Sequence, residues 1–396
     1  MLRKVKKIFE LEALTGILLL ITTSLALIIA NSGYFSNYQN FFEIIIPINL
    51  PAIGIVKDLS LTDWINDFLM AIFFLLVGLE LKEELLSGEL SSINRASLPL
   101  ICAVGGVIFP ALIFYLCNIK NPQNLSGIAI PCATDIAFAY GVICLFGKKI
   151  PKSLKVFIVS LAIFDDLIAI VIIAIFYSTN IEIIYLLWAL IILGILAILN
   201  LQQISKLIFY VVLGIVLWLM ILKSGIHASL AGVLLAIFIP RQQDCLKSLI
   251  KLIAPLVNYL ILPIFAFANS AVVLNNFDLS ILSESLFLGI VLGLFFGKQI
   301  GVMLTAYLAV KFKICKLPRC PKNGEVNWVE FYGVAILTGI GFTMSFFIGN
   351  LAFNEEIILE EIKLAVLIAS ALSAIWGILV IFFTVVLHQK PVDKIH

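Results

Sequence analysis

The sequence predicts an all-helical protein that crosses a membrane many times. Of its 396 residues, 62% are hydrophobic and 13% are charged, and the mean hydropathy is +1.15. Soluble domains are only about 45 to 50% apolar. Because lipid offers the backbone no hydrogen-bond partners, only helices and closed barrels span a bilayer. The alternating pattern of barrel strands is absent from this sequence, which leaves helices.

Twelve apolar stretches are predicted to be transmembrane helices, since about 20 apolar residues cross the hydrocarbon core as one helix. Their centres lie near residues 22, 72, 106, 136, 165, 191, 213, 232, 262, 298, 340 and 375. Connections are short except at 31–61 and 311–327, so we expect one transmembrane domain over residues 1–396. Within the first connection, residues 41–58 combine β-branched and turn residues, which predicts an extracytoplasmic β-hairpin-like loop.

The basic residues predict the orientation of these helices. With a cytoplasmic N-terminus, four of the 26 Lys and Arg lie on the far side, namely Lys57, Lys120, Lys223 and Lys363. Lys298 falls within a span, and all the others lie on the cytoplasmic side. This asymmetry, with the even span count, favours cytoplasmic N- and C-termini. The basic N-terminus also suggests a signal peptide, but its apolar stretch is long for one, so we expect it to remain as the first helix.

Four ionisable residues stand near the centres of predicted spans: Asp135, Asp165, Asp166 and Lys298. A charged residue at such a position costs roughly 2.5 to 3.5 kcal/mol, so these residues indicate a functional site. One lysine could form a structural ion pair with one aspartate, but it cannot neutralise three. The remaining carboxylates must take up protons or hold a cation. Carboxylate oxygens suit hard cations such as Na⁺ or Li⁺.

Two of the spans carry residues that interrupt a helix. In the fourth span, Pro131 removes a helical hydrogen bond shortly before Thr134 and Asp135. The eleventh span contains TGIGFT, whose interrupting residues are Gly339, Gly341 and Thr343. Each is an isolated packing residue when taken alone. Together they place an interrupted helix second in each of two groups, helices 3–5 and 10–12.

The two groups lie in opposite orientation, which predicts an inverted repeat whose interrupted helices cross at mid-membrane. Its halves are residues 95–177 and 285–388, and helices 6–9 occupy residues 178–284. Half-helix ends would leave partial charges at the crossing. Asp135 could compensate the positive ends and Lys298 the negative ones. The seven cysteines form no CxxC pair and are interpreted as small apolar packing residues.

Seven segments resemble the NhaA-type sodium/proton antiporter family, in the family's order and over roughly residues 12 to 388. They are VGLELKEEL (77–85), ATDIAFAYG (133–141), LAIFDDLIAI (161–170), GIHASLAGV (225–233), LPIFAFANS (262–270), GKQIG (297–301) and TGIGFTMSFFIG (338–349). The resemblance implies an electrogenic exchanger in a bacterial inner membrane, which exports Na⁺ or Li⁺ against protons by alternating access. It implies no enzymatic activity, no cofactor and no nucleic-acid partner, and a homodimer whose contact includes the 41–58 hairpin.

The resemblance also implies roles for individual residues. Asp166 would be the principal ion ligand and proton carrier, and Asp165 its partner, paired with Lys298 when the site holds no sodium. Thr134 and Asp135 would lie where the interrupted helices cross, Asp135 chiefly as a charge compensator.

A response to alkaline pH is implied for Glu80, Glu84 and His227. Two positions depart from the family pattern: Glu83 stands where relatives often carry a basic residue, and Ile250 where an acidic residue is usual. The pH response therefore differs from the family pattern, whereas the transport residues match it. His227 has an alternative role as a structural hydrogen-bonding residue.

Three other function classes fit the sequence less well. A sodium-coupled solute symporter of related interrupted-helix fold needs a pocket for an organic substrate, and helices 6–9 add no polar cluster. An intramembrane aspartyl protease needs an aspartate that GIGFT lacks and has no use for Lys298. A passive cation channel needs ring symmetry or a wide polar lining, whereas three acidic residues in one place suit a binding site.

Overall fold

The computed structural model is almost entirely helical and describes residues 2–50, 55–177, 181–240, 245–274, 279–320 and 324–386. In this part of the chain the helices are α1 (Leu2–Ala30), α2 (Phe35–Phe42), α3 (Leu61–Ser87), α4 (Ile93–Asn118), α5 (Ile136–Leu145), α6 (Lys152–Phe176), α7 (Ile183–Leu201), α8 (Leu207–Ser224), α9 (Leu230–Phe238), α10 (Cys245–Asn269), α11 (Ser285–Lys311), α12 (Trp328–Leu337), α13 (Phe342–Ala352) and α14 (Glu356–Thr384). A 3₁₀ helix, Pro122–Cys132, precedes α5.

The described residues also contain two short antiparallel ladders. Strands β1 (Ile48–Leu50) and β2 (Ile55–Lys57) pair with Ile48 opposite Lys57, within the predicted 41–58 hairpin. The tip of that hairpin, residues 51–54, lies outside the described residues. Strands β3 (Arg319–Cys320) and β4 (Gly324–Glu325) form the second ladder, in the connection between α11 and α12.

The protein is a multi-pass membrane protein. In the described residues, eight helices are long and apolar enough to cross a membrane, and three bent helix pairs raise the number to eleven if each pair is one span. Of the twelve spans predicted from the sequence, the one near residue 232 is not among these eleven, because the helix there, α9, has only 9 residues. At 1.5 Å per residue this helix is about 14 Å long, less than the roughly 30 Å hydrocarbon core. The count of twelve and the inverted repeat stay predictions.

Contacts within the chain divide it into two compact units. The first consists of Met1–Leu18, Glu89–Ala169 and Asn276–His396, and the second of Leu19–Gly88 and Ile170–Asn275. All four ionisable residues that the sequence places near span centres lie in the first unit.

In the first unit, glycines bring α4 and α11 into backbone contact. A Cβ atom on Gly301 would lie 2.2 Å from the carbonyl oxygen of Gly105, and one on Gly297 would lie 2.7 Å from Cα of Pro110. Small residues permit such close approach between membrane helices. Because Lys298 directly follows Gly297, this contact fixes where α11 presents its lysine.

In the second unit, α3 and α9 pack just as closely. A Cβ on Gly232 would lie 1.9 Å from the carbonyl oxygen of Ala71, and one on Gly78 would lie 2.7 Å from Cβ of Ala236. The contacts advance in the same order along both helices, so α3 and α9 run in the same direction.

Candidate functional site

The site is built around two breaks in the first unit. Residues 133–135 leave helical conformation between the 3₁₀ helix Pro122–Cys132 and α5, and these two helices are bent by 42°. Residues 338–341 separate α12 from α13 in the same way, with a bend of 44°. The two breaks touch, because the backbone N–H of Asp135 donates to the carbonyl oxygen of Ile340 at 2.7 Å.

Hydroxyl groups satisfy further backbone atoms at this crossing. The Thr134 hydroxyl lies 2.8 Å from the carbonyl oxygen of Thr338, and the Ser345 hydroxyl donates to the carbonyl oxygen of Ile130 at 2.8 Å. A broken helix leaves carbonyl groups without their usual partners, and lipid supplies none. The hydroxyls therefore stabilise the interrupted backbone.

Asp135 lies between the N-termini of two helices. Its Oδ1 accepts a hydrogen bond from the N–H of Phe138 in α5 at 2.9 Å. Its Oδ2 accepts one from the N–H of Thr343 in α13 at 3.1 Å and another from the Thr343 hydroxyl. Helix N-termini carry partial positive charge, so a carboxylate here is favoured by both. This placement is what a charge compensator requires.

Asp165 on α6 and Lys298 on α11 form an ion pair. Lys298 Nζ lies 2.6 Å from Asp165 Oδ2, and both side chains are fully buried. The Thr134 hydroxyl is 2.8 Å from the same oxygen, so it can donate its single proton either to Asp165 or to Thr338. The other oxygen, Asp165 Oδ1, is buried and has no hydrogen-bond partner within the described part of the chain.

Asp166 follows directly on α6 and is only 1% exposed. Adjacent helical residues diverge by about 100°, so the two carboxyl groups leave α6 in different directions. The structure thus brings Thr134, Asp165 and Lys298 into contact, with Asp166 beside them in sequence. Asp135 and Thr343 form the neighbouring contact, one residue from Thr134.

Gly339 and Gly341 lie in the second break, and Pro131 lies two residues before the first. The structure differs from the sequence interpretation in one respect. The segment that contains Pro131 is a 3₁₀ helix, so this proline does not remove an α-helical hydrogen bond. Gly339 is needed for space, because a Cβ there would lie 2.6 Å from the carbonyl oxygen of Leu294. A Cβ on Gly341 would lie 2.2 Å from the Ser345 hydroxyl oxygen.

The residues predicted to sense pH lie in the second unit. Glu80, Glu83 and Glu84 are partly exposed residues in the last turns of α3, and Ile250 belongs to α10. Lys82, between the glutamates in sequence, is directed to the C-terminus of α9. Its ammonium group donates to three carbonyl oxygens, those of Ala236 at 3.4 Å, Ile237, and Ile239 at 2.7 Å.

His227 precedes α9 and is held by two side chains. Its Nδ1 lies 2.8 Å from the Ser229 hydroxyl, and its Nε2 lies 3.4 Å from a carboxylate oxygen of Asp67. Both ring nitrogens thus have a side-chain neighbour, which favours the structural role over the pH-sensing role.

Three hydroxyl residues of the crossing were not singled out from the sequence: Thr338, Ser345 and Ser370. Thr338 stands within TGIGFT, so its position next to the glycines is a usable signal. Ser345 and Ser370 lie within apolar helices, where a serine is usually a small packing residue. The hydroxyl of Ser370 accepts a hydrogen bond from the N–H of Phe342, a contact that sequence spacing does not reveal.

Comparison with known proteins shows the family of the chain. The family model described as Na⁺/H⁺ antiporter 1 matches residues 6–381. The chain is 47% identical over 386 residues to the Na⁺/H⁺ antiporter NhaA of a Nitratiruptor species, covering 96% of this chain and 98% of the relative. It is 46% identical over 384 residues to the NhaA of Pelagibacter ubique, covering 96% and 97%. It is 47% identical over 381 residues to NhaA 2 of Campylobacter jejuni, covering 95% and 98%. The chain therefore belongs to the Na⁺/H⁺ antiporter 1 family.

Proposed function

We propose that this protein is an electrogenic antiporter that exports Na⁺ or Li⁺ in exchange for protons. One observation carries the proposal: three carboxyl groups, Asp135, Asp165 and Asp166, are buried in the first unit, and Lys298 forms its ion pair with Asp165. Charged carboxylates are costly in a membrane interior unless a proton or a cation neutralises them. A site of this kind exchanges one positive species for another.

The exchange follows from competition at Asp165 and Asp166. A cation that binds Asp165 displaces the Lys298 ammonium from it, and the Thr134 hydroxyl can then donate to Thr338. Within the described residues, no three His, Cys, Asp or Glu side chains are grouped to hold a metal ion. Na⁺ would therefore need hydroxyl or carbonyl oxygens in addition to the two carboxylates, and such hard oxygen ligands suit it.

Coupling requires that the site open to one side of the membrane at a time. Because the cation and the protons exclude each other from the carboxylates, each crossing carries one species only. The touching breaks of the two bent pairs provide short non-helical segments that can change conformation without unfolding a whole helix. Asp135, held by both α5 and α13, would keep the two half-helices together during this change.

The arrangement in the membrane is part of the proposal. It comprises twelve spans with an inverted repeat, cytoplasmic termini, a bacterial inner membrane and a homodimer whose contact includes the 41–58 hairpin. The distribution of basic residues supports the orientation. The pairing of β1 with β2 supplies the strands that such a contact would use.

The test is proton movement in proteoliposomes that contain the purified protein and an enclosed pH-sensitive dye. Addition of NaCl or LiCl should move protons in the direction opposite to the cation, whereas KCl and choline chloride should not. Clamping the membrane potential should change the rate if exchange is electrogenic. No organic solute is present, so proton movement under these conditions also contradicts a solute symporter.

Competition between Na⁺ and H⁺ for the same carboxylates predicts a second result in this assay. The apparent KM for Na⁺ should rise as the pH falls from about 8.5 to 6.5, because protons then occupy the carboxylates. A KM that stays constant over this range would show that Na⁺ and H⁺ use separate sites.

A further inference from the structure

Helix α13 begins at an unusual backbone position. Phe342, its first residue, has φ of +22°, and the preceding Gly341 offers no side chain that could cap the helix. The first N–H groups of a helix lack intrahelical acceptors and need other partners. For Phe342 that partner comes from α14, because its N–H donates to Ser370 Oγ at 3.2 Å.

The next N–H of α13 has a different acceptor. Thr343 donates from its N–H, and also from its hydroxyl, to Asp135 Oδ2. Two neighbouring N–H groups at the start of α13 thus have different acceptors, a neutral hydroxyl for Phe342 and a carboxylate for Thr343. Ser370 is 6% exposed, so water does not readily replace its hydroxyl.

Loss of the Ser370 hydroxyl would leave the Phe342 N–H unsatisfied in a low-dielectric interior, which is unfavourable. A nearby acceptor is the carboxylate of Asp135, which already accepts three hydrogen bonds, one from Phe138 and two from Thr343. A shift of α13 toward that carboxylate would disturb the contact between Asp135 N–H and Ile340 as well. The effect would reach Thr134, the residue before Asp135, and through it Asp165.

We infer that Ser370 is a positioning residue for ion exchange: its hydroxyl holds the start of α13 and thereby sets the geometry of Asp135 and Thr134 beside the Asp165–Lys298 pair. The inference rests on the proposed exchange function, since it concerns the geometry of that site. Ser370 itself touches neither of the two carboxylates proposed to bind the ion.

A matched control lies on the same helix. Ser373 is one turn away from Ser370 on the same face of α14 and is also buried. Its hydroxyl has no hydrogen-bond partner within the described part of the chain. Ser370→Ala and Ser373→Ala therefore remove the same atom from the same helix, but only the first removes the acceptor of a helix N-terminus.

The experiment compares wild type, Ser370→Ala, Ser370→Thr and Ser373→Ala in proteoliposomes at saturating and limiting NaCl. Ser370→Ala should raise the apparent KM for Na⁺ by about tenfold, with a smaller change in the maximal rate per folded protein. Ser370→Thr keeps a hydroxyl and should return KM to within about twofold of wild type. A merely structural role would lower the amount of folded protein without changing KM.

The possible outcomes separate this inference from the proposed function. If wild type moves no protons in response to Na⁺, the exchange function itself is wrong. If wild type exchanges and Ser370→Ala has the same KM as Ser373→Ala, the positioning role is wrong. Should Ser370→Ala fail to fold, Ser370→Cys is compared with Ser373→Cys, because a thiol is a weaker acceptor than a hydroxyl. Equal KM values in that pair would equally overturn the inference.

Discussion

The Lys298–Asp165 contact is a buried ion pair, and such pairs are sensitive to the loss of one partner. Removing either group leaves an uncompensated charge in a medium that solvates it poorly, at a cost of about 3 to 5 kcal/mol. We predict that Lys298→Met lowers the melting temperature of the detergent-solubilised protein. The double variant Lys298→Met with Asp165→Leu should recover part of the loss, because no charge then stays unpaired. An unchanged melting temperature in Lys298→Met would mean that the pair contributes nothing in the resting state.

Asp166 allows a second prediction for a single residue. Asp166→Asn should abolish Na⁺-dependent proton movement and leave the protein folded, because an amide keeps the shape of the side chain but neither binds a proton nor carries a charge. Glu355→Gln makes the same carboxylate-to-amide change at an exposed position and should exchange normally. Folding is checked by size-exclusion chromatography of both variants. Near-normal exchange by Asp166→Asn would contradict the proposed mechanism.

At the scale of single residues, the role of a charged side chain was easier to predict from the sequence than the role of a serine hydroxyl. Asp135, Asp165 and Lys298 stand out because a charge in an apolar run has a large energetic cost. A serine such as Ser370 has no comparable cost, since its hydroxyl can bond to a carbonyl of its own helix. Its role becomes visible only when the N–H of Phe342 is found beside it.

Helix α9 shows how an element can differ from its apolar pattern. Residues 225–239 are apolar enough to suggest a span, but α9 begins at Leu230 and ends at Phe238. Pro240 explains the end, because a proline disfavours helical conformation in the residue before it. The interruptions near Pro131 and Gly339 were predictable because their breaking residues stand inside the pattern. The start of α9 was not predictable from the sequence, since the preceding segment GIHAS contains only one helix-breaking residue.

Lys82 binds the carbonyl groups at the C-terminus of α9. Its ammonium donates to three carbonyl oxygens at the C-terminus of the helix, where the helix dipole favours a positive charge. We predict that Lys82→Met destabilises the protein by about 1 to 3 kcal/mol and speeds hydrogen exchange of the α9 amides. Lys82→Arg should lose less, because it keeps the charge and several donors.

The control for this element is Lys251→Met, which removes an exposed lysine from α10. It should leave both the melting temperature and the exchange of α9 amides near wild type. If Lys82→Met and Lys251→Met behave alike, the contacts of Lys82 do not stabilise the C-terminus of α9.

For the molecule as a whole, the two units carry different kinds of charge. The buried carboxyl groups of the proposed exchange site belong to the first unit, whereas Glu80, Glu83 and Glu84 belong to the second. Lys82 is the basic residue nearest these glutamates in sequence, and its three donors are matched by three carbonyls of α9. Glu83 and Ile250 stand where the resemblance to the family implies a basic and an acidic residue, so the charges of this cluster differ from that pattern.

The consequence concerns how sharply exchange activates with rising pH. A cluster with both signs can rearrange its ion pairs together over a narrow pH range. Glu83 and Ile250 change the balance of signs from the one that the resemblance implies. We predict that exchange at saturating Na⁺, measured from pH 6 to 9, activates less steeply than in a relative with the full pattern. Glu83→Arg combined with Ile250→Glu should steepen the activation. His227→Gln should leave the midpoint in place, because the contacts of His227 with Ser229 and Asp67 favour a structural role.

Each single variant serves as a control for the pair. Glu83→Arg alone supplies the base without its acidic partner, and Ile250→Glu alone adds a further negative charge, so neither should steepen activation as much as both together. If wild type already activates as sharply as a relative with the full pattern, the glutamate cluster does not set the pH response. A shifted midpoint in His227→Gln would then assign the response to the contact between His227 and Asp67. An unshifted one would assign it to proton binding at Asp165 and Asp166, where protons and Na⁺ compete directly.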